Sequence, residues 1–244
     1  PNLYNYILEQ SKNFSQEALN RHAATMRMRG RPKVVLARTY EEAQKLYDKY
    51  SDNTLGVISD ARFPLKSAAK AFGNEVMPEE KPKHRTDTFG REKCPDAGLQ
   101  LFRYIRKNDP FVPLIIESSE SENRAKAEAE GFRFVDKNSK KMSVDLRRLM
   151  EEHMGFGDFI FRDPKTHEEI MRIHSLKELQ DNIFNIPNDS MLYHISRNHM
   201  SRWLCARAIF PVSAFLKHVT WEKLQDVDAH RQIIFDAIVQ YRHM

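Results

Sequence analysis

Through the middle of the chain, hydrophobic residues gather in short unbroken runs separated by polar stretches of helical length. Val34-Val35-Leu36-Ala37, Leu55–Ser59, Pro113–Ser118 and Phe132–Asp136 are apolar at consecutive rather than alternate positions. That is the pattern of strands buried on both faces. The intervening segments repeat their apolar residues every three or four positions. Thr39 caps a helix that puts Ala43, Leu46, Tyr47 and Tyr50 on one face, and Leu99–Lys107 turns Leu101, Phe102 and Ile105 inward. Glu122–Glu130 ends at Gly131, and a further helix carries Val144, Leu146, Leu149 and Met150. Such alternation predicts a parallel sheet with helices on both faces, whose chemistry belongs at the carboxyl ends of its strands. Asp60, Ser118 and Lys137 lie at those ends.

The flanks read differently. Residues 3–29 have helix-forming composition, with Ser15 as N-cap and Gln16 and Glu17 as the first turn of a second helix that Gly30 and Pro32 stop. Residues 65–95 lack periodicity and read as a long insertion. Beyond Gly155, Phe156–Phe161 and Glu168–Ile173 predict a β-hairpin, and Ser175 with Glu178 forms a capping box for a helix through Ile183. Asp189 or Ser190 opens a longer helix to about Ile209, and two helical segments close the chain. The expected organisation is a doubly wound α/β domain over residues 1–150, followed by a smaller, mainly helical domain with a β-hairpin over residues 151–244.

Composition narrows the function. With 41% hydrophobic and 30% charged residues among 244, the chain is of globular type, and no apolar run approaches the roughly 20 residues of a membrane span. Two cysteines, Cys94 and Cys205, make no disulfide framework, which points to a reducing cytoplasm. The net charge of +5 is uneven: residues 1–150 hold 28 basic and 21 acidic groups, and residues 151–244 hold 11 and 13. The basic excess sits in Arg21–Lys33 and Lys66–Lys93, segments expected to be exposed, and forms no single stripe of the kind nucleic acid requires. Eight of the ten histidines follow Glu151, yet His194 and His199, five residues apart, would face different sides of one helix. That spacing argues against a zinc pair. Arg197, Arg202 and Arg207 also recur every five residues and wind around the helix, a use that suits Arg–carboxylate pairs better than DNA.

Taken in order, the strand-end residues carry a resemblance. Residues 33–150 resemble the receiver domain of two-component response regulators, a flavodoxin-like fold. The match runs through Asp60-Ala61-Arg62-Phe63-Pro64, Gly98-Leu99, Ile105-Arg106, Pro113 to Ser118, Phe134 and Lys137. It implies Asp60 as phosphoacceptor, Ser118 as the hydroxyl that moves on activation, Lys137 as the phosphoryl-binding ammonium and Phe134 as the aromatic switch. It also implies Mg2+ held by Asp60 and the backbone carbonyl of Arg62, with a histidine kinase or other phosphodonor as partner. The chemistry is coherent: a carboxylate attacks in line, and a cation with fixed donors stabilises the spread charge of the transition state. Three departures stand out. The acidic pair that follows the first strand of receivers does not occur before Glu41-Glu42, so that strand and the remaining magnesium ligands are expected upstream of Pro1. Asn138 replaces the usual proline, and the insertion follows Pro64.

A second resemblance covers the whole chain. Gly155-Phe156-Gly157-Asp158-Phe159, Asn198-His199 and Arg202-Trp203-Leu204 are similar to the N-terminal regulatory part of bacterial proteins related to phosphoenolpyruvate synthase and pyruvate phosphate dikinase. It implies that any phosphotransferase activity lies in parts of a parent protein outside this chain. The expected function is a cytoplasmic signal-transduction module: a receiver-like phosphoacceptor, or pseudo-receiver, coupled to a helical output domain that meets a protein partner through residues 156–244. The alternatives are the front portion of a phosphoenolpyruvate synthase-type phosphotransferase and a DNA-binding transcriptional response regulator.

Overall fold

The computed structural model describes residues 3–16, 21–66 and 92–243. Most of the expected insertion, and Glu17 of the expected helix start, lie outside them. The elements in chain order are α1 (Leu3–Gln16), α2 (Arg21–Arg29), α3 (Tyr40–Tyr50), β1 (Val57–Asp60), α4 (Ala97–Asn108), β2 (Leu114–Ser118), α5 (Glu122–Ala129) and β3 (Arg133–Asp136). They continue with α6 (Met142–His153), β4 (Phe159–Arg162), β5 (Glu169–Ile173), α7 (Leu176–Asn182), α8 (Asn188–Ile195), α9 (His199–Ala206), α10 (Phe210–His218) and α11 (Val227–His243). The chain forms two compact units: residues 35–145, and residues 1–34 together with 146–244.

The unit of residues 35–145 is mixed α/β. Its sheet has the order β1-β2-β3, all parallel, with Asp60 opposite Glu117 and Ser118 opposite Asp136. Leu114, Ile115 and Ile116 are all fully buried, so successive side chains on opposite faces of β2 are both covered. Phe102, Ile105, Leu99 and Tyr47 from the helices pack with Leu114 and Ile116 into one core, and Phe102 meets Phe132 edge to face at 5.3 Å. Thr39 caps α3 by accepting the Glu42 amide, as expected of a β-region Thr before a helix. Gly98 lets the start of α4 approach the end of β1: a Cβ there would lie 2.4 Å from the Asp60 carbonyl oxygen.

One expected strand is absent. Val34–Ala37 has no strand conformation, and Val34, Val35 and Leu36 are 51%, 60% and 71% exposed. No neighbouring strand pairs with this run among the described residues, and apolar composition without a ladder partner does not hold a strand. For the same reason β1 is half-buried rather than buried: among the described residues it is paired on one side only.

The other unit joins the N-terminal helices to the C-terminal third, a grouping that crosses the expected boundary at residue 150. Side-chain contacts explain it. The Tyr6 hydroxyl donates to Glu151 at 3.0 Å, and its ring lies against Phe156. Burial and the Glu151 carboxylate hold the Tyr6 hydroxyl well above its usual range. Arg207 caps the arrangement: its guanidinium stacks on Phe14 and Trp203 at 4.3 and 4.0 Å and donates to the carbonyls of Gly155 and Gly157. Gly155 has φ +82, and a Cβ there would meet the Trp203 Cα at 2.8 Å. The antiparallel hairpin β4-β5 packs Phe159, Phe161 and Ile173 into a core with Leu179, Trp203, Leu204 and Ile238.

Local signals at the ends of α1 and α8 differ from expectation. Ser15 and Gln16 complete α1 instead of opening a second helix. The single helix expected to run to about Ile209 is broken into α8 and α9, and α10 begins just beyond it. Asn198 interrupts the first two by taking the left-handed conformation, φ 55, which asparagine tolerates better than most residues. Ser175 does accept the Glu178 amide, while the Glu178 carboxylate reaches back to the amide of His174.

Candidate functional site

The carboxyl ends of three adjacent parallel strands converge on one small region. β1 ends in Asp60, β2 ends in Ser118, and Lys137 follows β3 directly. The Lys137 ammonium forms an ion pair with Asp60 Oδ1, and the Lys137 amide donates to the Ser118 carbonyl at 2.9 Å. Asp60 and Lys137 side chains are 52% and 34% exposed, so this charge pair is open to an incoming molecule. Parallel pairing produces the juxtaposition: the register carries Asp60 to Glu117 and Ser118 to Asp136, one residue before Lys137.

Ser118 is held from the other side. Its Oγ accepts the Glu120 amide at 3.1 Å and the Asn123 side-chain amide at 2.9 Å, and makes no hydrogen bond to Asp60 among the described residues. Asn123 also donates to Glu120 at 3.3 Å, and both Glu120 oxygens take the Arg62 guanidinium, at 3.2 and 3.1 Å. Arg62 therefore has a side-chain role beyond the backbone carbonyl for which the sequence singled it out.

Phe134 lies at the margin of the α/β core, partly buried, with the Arg124 guanidinium 4.7 Å from its ring centre. Asn138 fills the place of the expected proline without leaving its backbone unsatisfied. Its amide donates to Asp136 at 2.8 Å, and its side chain donates to the Ser119 carbonyl at 2.9 Å.

Sequence reasoning overlooked Glu117, Glu120 and Asn123. Glu117 stands opposite Asp60 in the register and is held above the usual carboxylate range by burial, with Asp60 adding to the rise and Lys137 opposing it. The available signal was a charge inside an otherwise apolar run, Leu114 to Ser118. Glu120 and Asn123 sit in the turn and first turn of α5, where polar residues are ordinary and carry no such signal.

Asp60 and the Arg62 carbonyl are two oxygen donors, and among the described residues no three His, Cys, Asp or Glu side chains are grouped to hold a metal. Magnesium takes an octahedral set of oxygens, so these two would hold it only together with water, phosphoryl oxygens or further carboxylates.

In the second unit the expected separation of His194 and His199 does not hold. The break at Asn198 folds α9 back, and the two Nδ1 atoms lie 3.0 Å apart. Burial holds both imidazoles below the usual histidine range, His194 down to about 3, with Arg197 and Arg162 adding to its depression. His194 is ringed by Phe159, Phe161 and Tyr193. His194 is buried against the core and His199 is half-buried beside it, so this pair belongs to the packing of the unit.

No protein-family model matches the chain, and no curated protein or solved structure matches it significantly. Among the described residues no helix is long and apolar enough to cross a membrane.

Proposed function

We propose that residues 35–145 are a receiver-like, flavodoxin-type phosphoacceptor module that signals through the helical unit of the same chain. The observation that carries this reading is the Lys137–Asp60 ion pair at the open ends of neighbouring parallel strands. A carboxylate with an ammonium on one oxygen presents its other oxygen to an incoming phosphorus. In the reaction that oxygen attacks the phosphorus of a small acyl phosphate or a phosphohistidine. The donor's bridging bond breaks with its electron pair leaving on the donor, and Asp60 becomes an acyl phosphate. Lys137 then pairs with a phosphoryl oxygen, holding the charge that develops on the transferring group. Phosphorylation adds nearly two negative charges at the end of β1, and the Ser118 hydroxyl at the end of the adjacent strand β2 is a donor that can turn toward them. Magnesium, which the receiver resemblance implies, would add electrostatic stabilisation of the phosphoryl oxygens through Asp60 and the Arg62 carbonyl.

The test is intact-protein mass spectrometry of the full-length protein after incubation with acetyl phosphate and Mg2+. The expected result is a gain of one phosphoryl group that Asp60→Asn abolishes. A gain that persists in Asp60→Asn contradicts the assignment. The absence of any gain reduces the module to a pseudo-receiver, which engages its partner without phosphorylation.

A further inference from the structure

Ser118 is the one member of the strand-end trio whose side chain is bonded to the start of α5 rather than to the Asp60–Lys137 pair. Its hydroxyl oxygen accepts two hydrogen bonds, from the Glu120 amide and from Asn123, and it is nearly buried. Asn123 is only 3% exposed, so its amide has no water to turn to if the bond to Ser118 breaks. The same amide reaches the Glu120 carboxylate, and the Arg62 guanidinium grips both oxygens of that carboxylate from the segment just after β1. Arg62, Glu120, Asn123 and Ser118 thus form one chain of bonds from the end of β1 to the first turn of α5.

We propose that Asn123 is a positioning residue that latches the Ser118 hydroxyl to the start of α5, so that stabilising a phosphoryl group on Asp60 requires release of the latch. The inference rests on the phosphoacceptor reading of Asp60. Its consequence runs against ordinary packing logic. Ser118 keeps its own hydroxyl hydrogen, but the two accepted bonds hold its oxygen against the start of α5, so carrying that hydrogen to a phosphoryl oxygen on Asp60 turns the oxygen away from Asn123. A protein without the Asn123 amide starts closer to the switched arrangement and binds the phosphoryl mimic more tightly, although it has lost a native hydrogen bond. The Arg62–Glu120 pair places the other end of the latch two residues from the acceptor, so the device links the loop after β1 to α5.

The experiment is a titration of the full-length protein with beryllofluoride and Mg2+, followed by fluorine NMR of the bound species. Asn123→Ala and Asn123→Leu are compared with the unsubstituted protein; leucine keeps the buried volume while removing the donor. Both are expected to half-saturate at a beryllofluoride concentration roughly three- to ten-fold lower, and adding Ser118→Ala should erase the gain. A purely structural Asn123 would give unchanged or weaker binding in the folded leucine variant. That result overturns the latch while leaving the phosphoacceptor reading intact. An unsubstituted protein that binds no more beryllofluoride than Asp60→Asn overturns both. Should neither Asn123 variant fold, hydrogen exchange at the Glu120 amide of the unsubstituted protein decides. Saturation with beryllofluoride should accelerate it as its acceptor departs, and unchanged protection overturns the latch.

Discussion

The two units treat ionisable groups in opposite ways. In residues 35–145 the charged side chains of interest stand at the open edge of the sheet. Asp60 and Lys137 pair there in partial contact with solvent, and Arg62 and Glu120 brace a neighbouring turn. In the other unit, beside surface ion pairs such as Arg172 with Asp158 and Glu169, the notable polar groups are drawn inward and bound to backbone or to each other. Arg207 lies between two aromatic rings with its donors on glycine carbonyls, and His194 and His199 share a hydrogen bond within an aromatic shell. An exposed charge pair is worth little to folding but remains free to react. A buried polar group is costly to disturb and is closed to substrates. The contrast separates the unit that has a candidate reaction from the unit whose polar groups serve its architecture.

The largest effect should come from Arg207. Arg207→Ala removes the donors to Gly155 and Gly157 and the cation between Phe14 and Trp203, and should cost about 2–4 kcal/mol in urea denaturation. A loss below about 1 kcal/mol would mean that this guanidinium is not the internal tie described here.

The histidine pair should give a pH signature of comparable size. Burial holds both imidazoles below the ordinary 6.5, so their contribution is present above pH 6.5 and is lost as pH falls below it, for His194 down toward about 3. The slope approaches about 1.4 kcal/mol per pH unit for each histidine that stays neutral in the folded protein. Stability measured between pH 7 and 4.5 should fall accordingly, and His199→Gln should flatten the curve. A stability that does not change across that interval would place the pair in contact with water.

A smaller and more local effect is expected at Gly98. Gly98→Ala drives a methyl into the Asp60 carbonyl and should cost about 1–3 kcal/mol, with a drop in phosphorylation of Asp60 under acetyl phosphate. Retained stability and phosphorylation together would show that the end of β1 yields easily. Smallest of all, Asp60→Asn breaks a half-exposed ion pair and should change stability by less than about 1 kcal/mol. That near-neutrality is what distinguishes a reactive group from a structural one.

How far the sequence could be read follows from the range of the interactions involved. β1, β2 and β3 were legible from their apolar runs, and α3 from Thr39, because these signals are local. The strand ends were legible too, since a parallel sheet sends Asp60, Ser118 and Lys137 to one edge once its strands are known. Val34–Ala37 misled because an apolar run specifies burial, while a strand also needs a partner. The grouping of α1 with the C-terminal third depends on Tyr6 meeting Glu151 and Phe14 meeting Arg207, contacts whose partners lie far apart in sequence. The meeting of His194 and His199 hinges on one backbone conformation at Asn198, which composition does not announce. Glu117, Glu120 and Asn123 were missed because each reads as an ordinary polar residue until the register places it.

The most direct test of the reading is chemical trapping. Full-length protein treated with acetyl phosphate and Mg2+ is reduced with borohydride, which converts an aspartyl phosphate to homoserine, and the peptides are mapped by mass. The account predicts homoserine at position 60 and nowhere else, and its disappearance in Lys137→Ala. Homoserine at Asp136 or another aspartate, with position 60 unmodified, would contradict it.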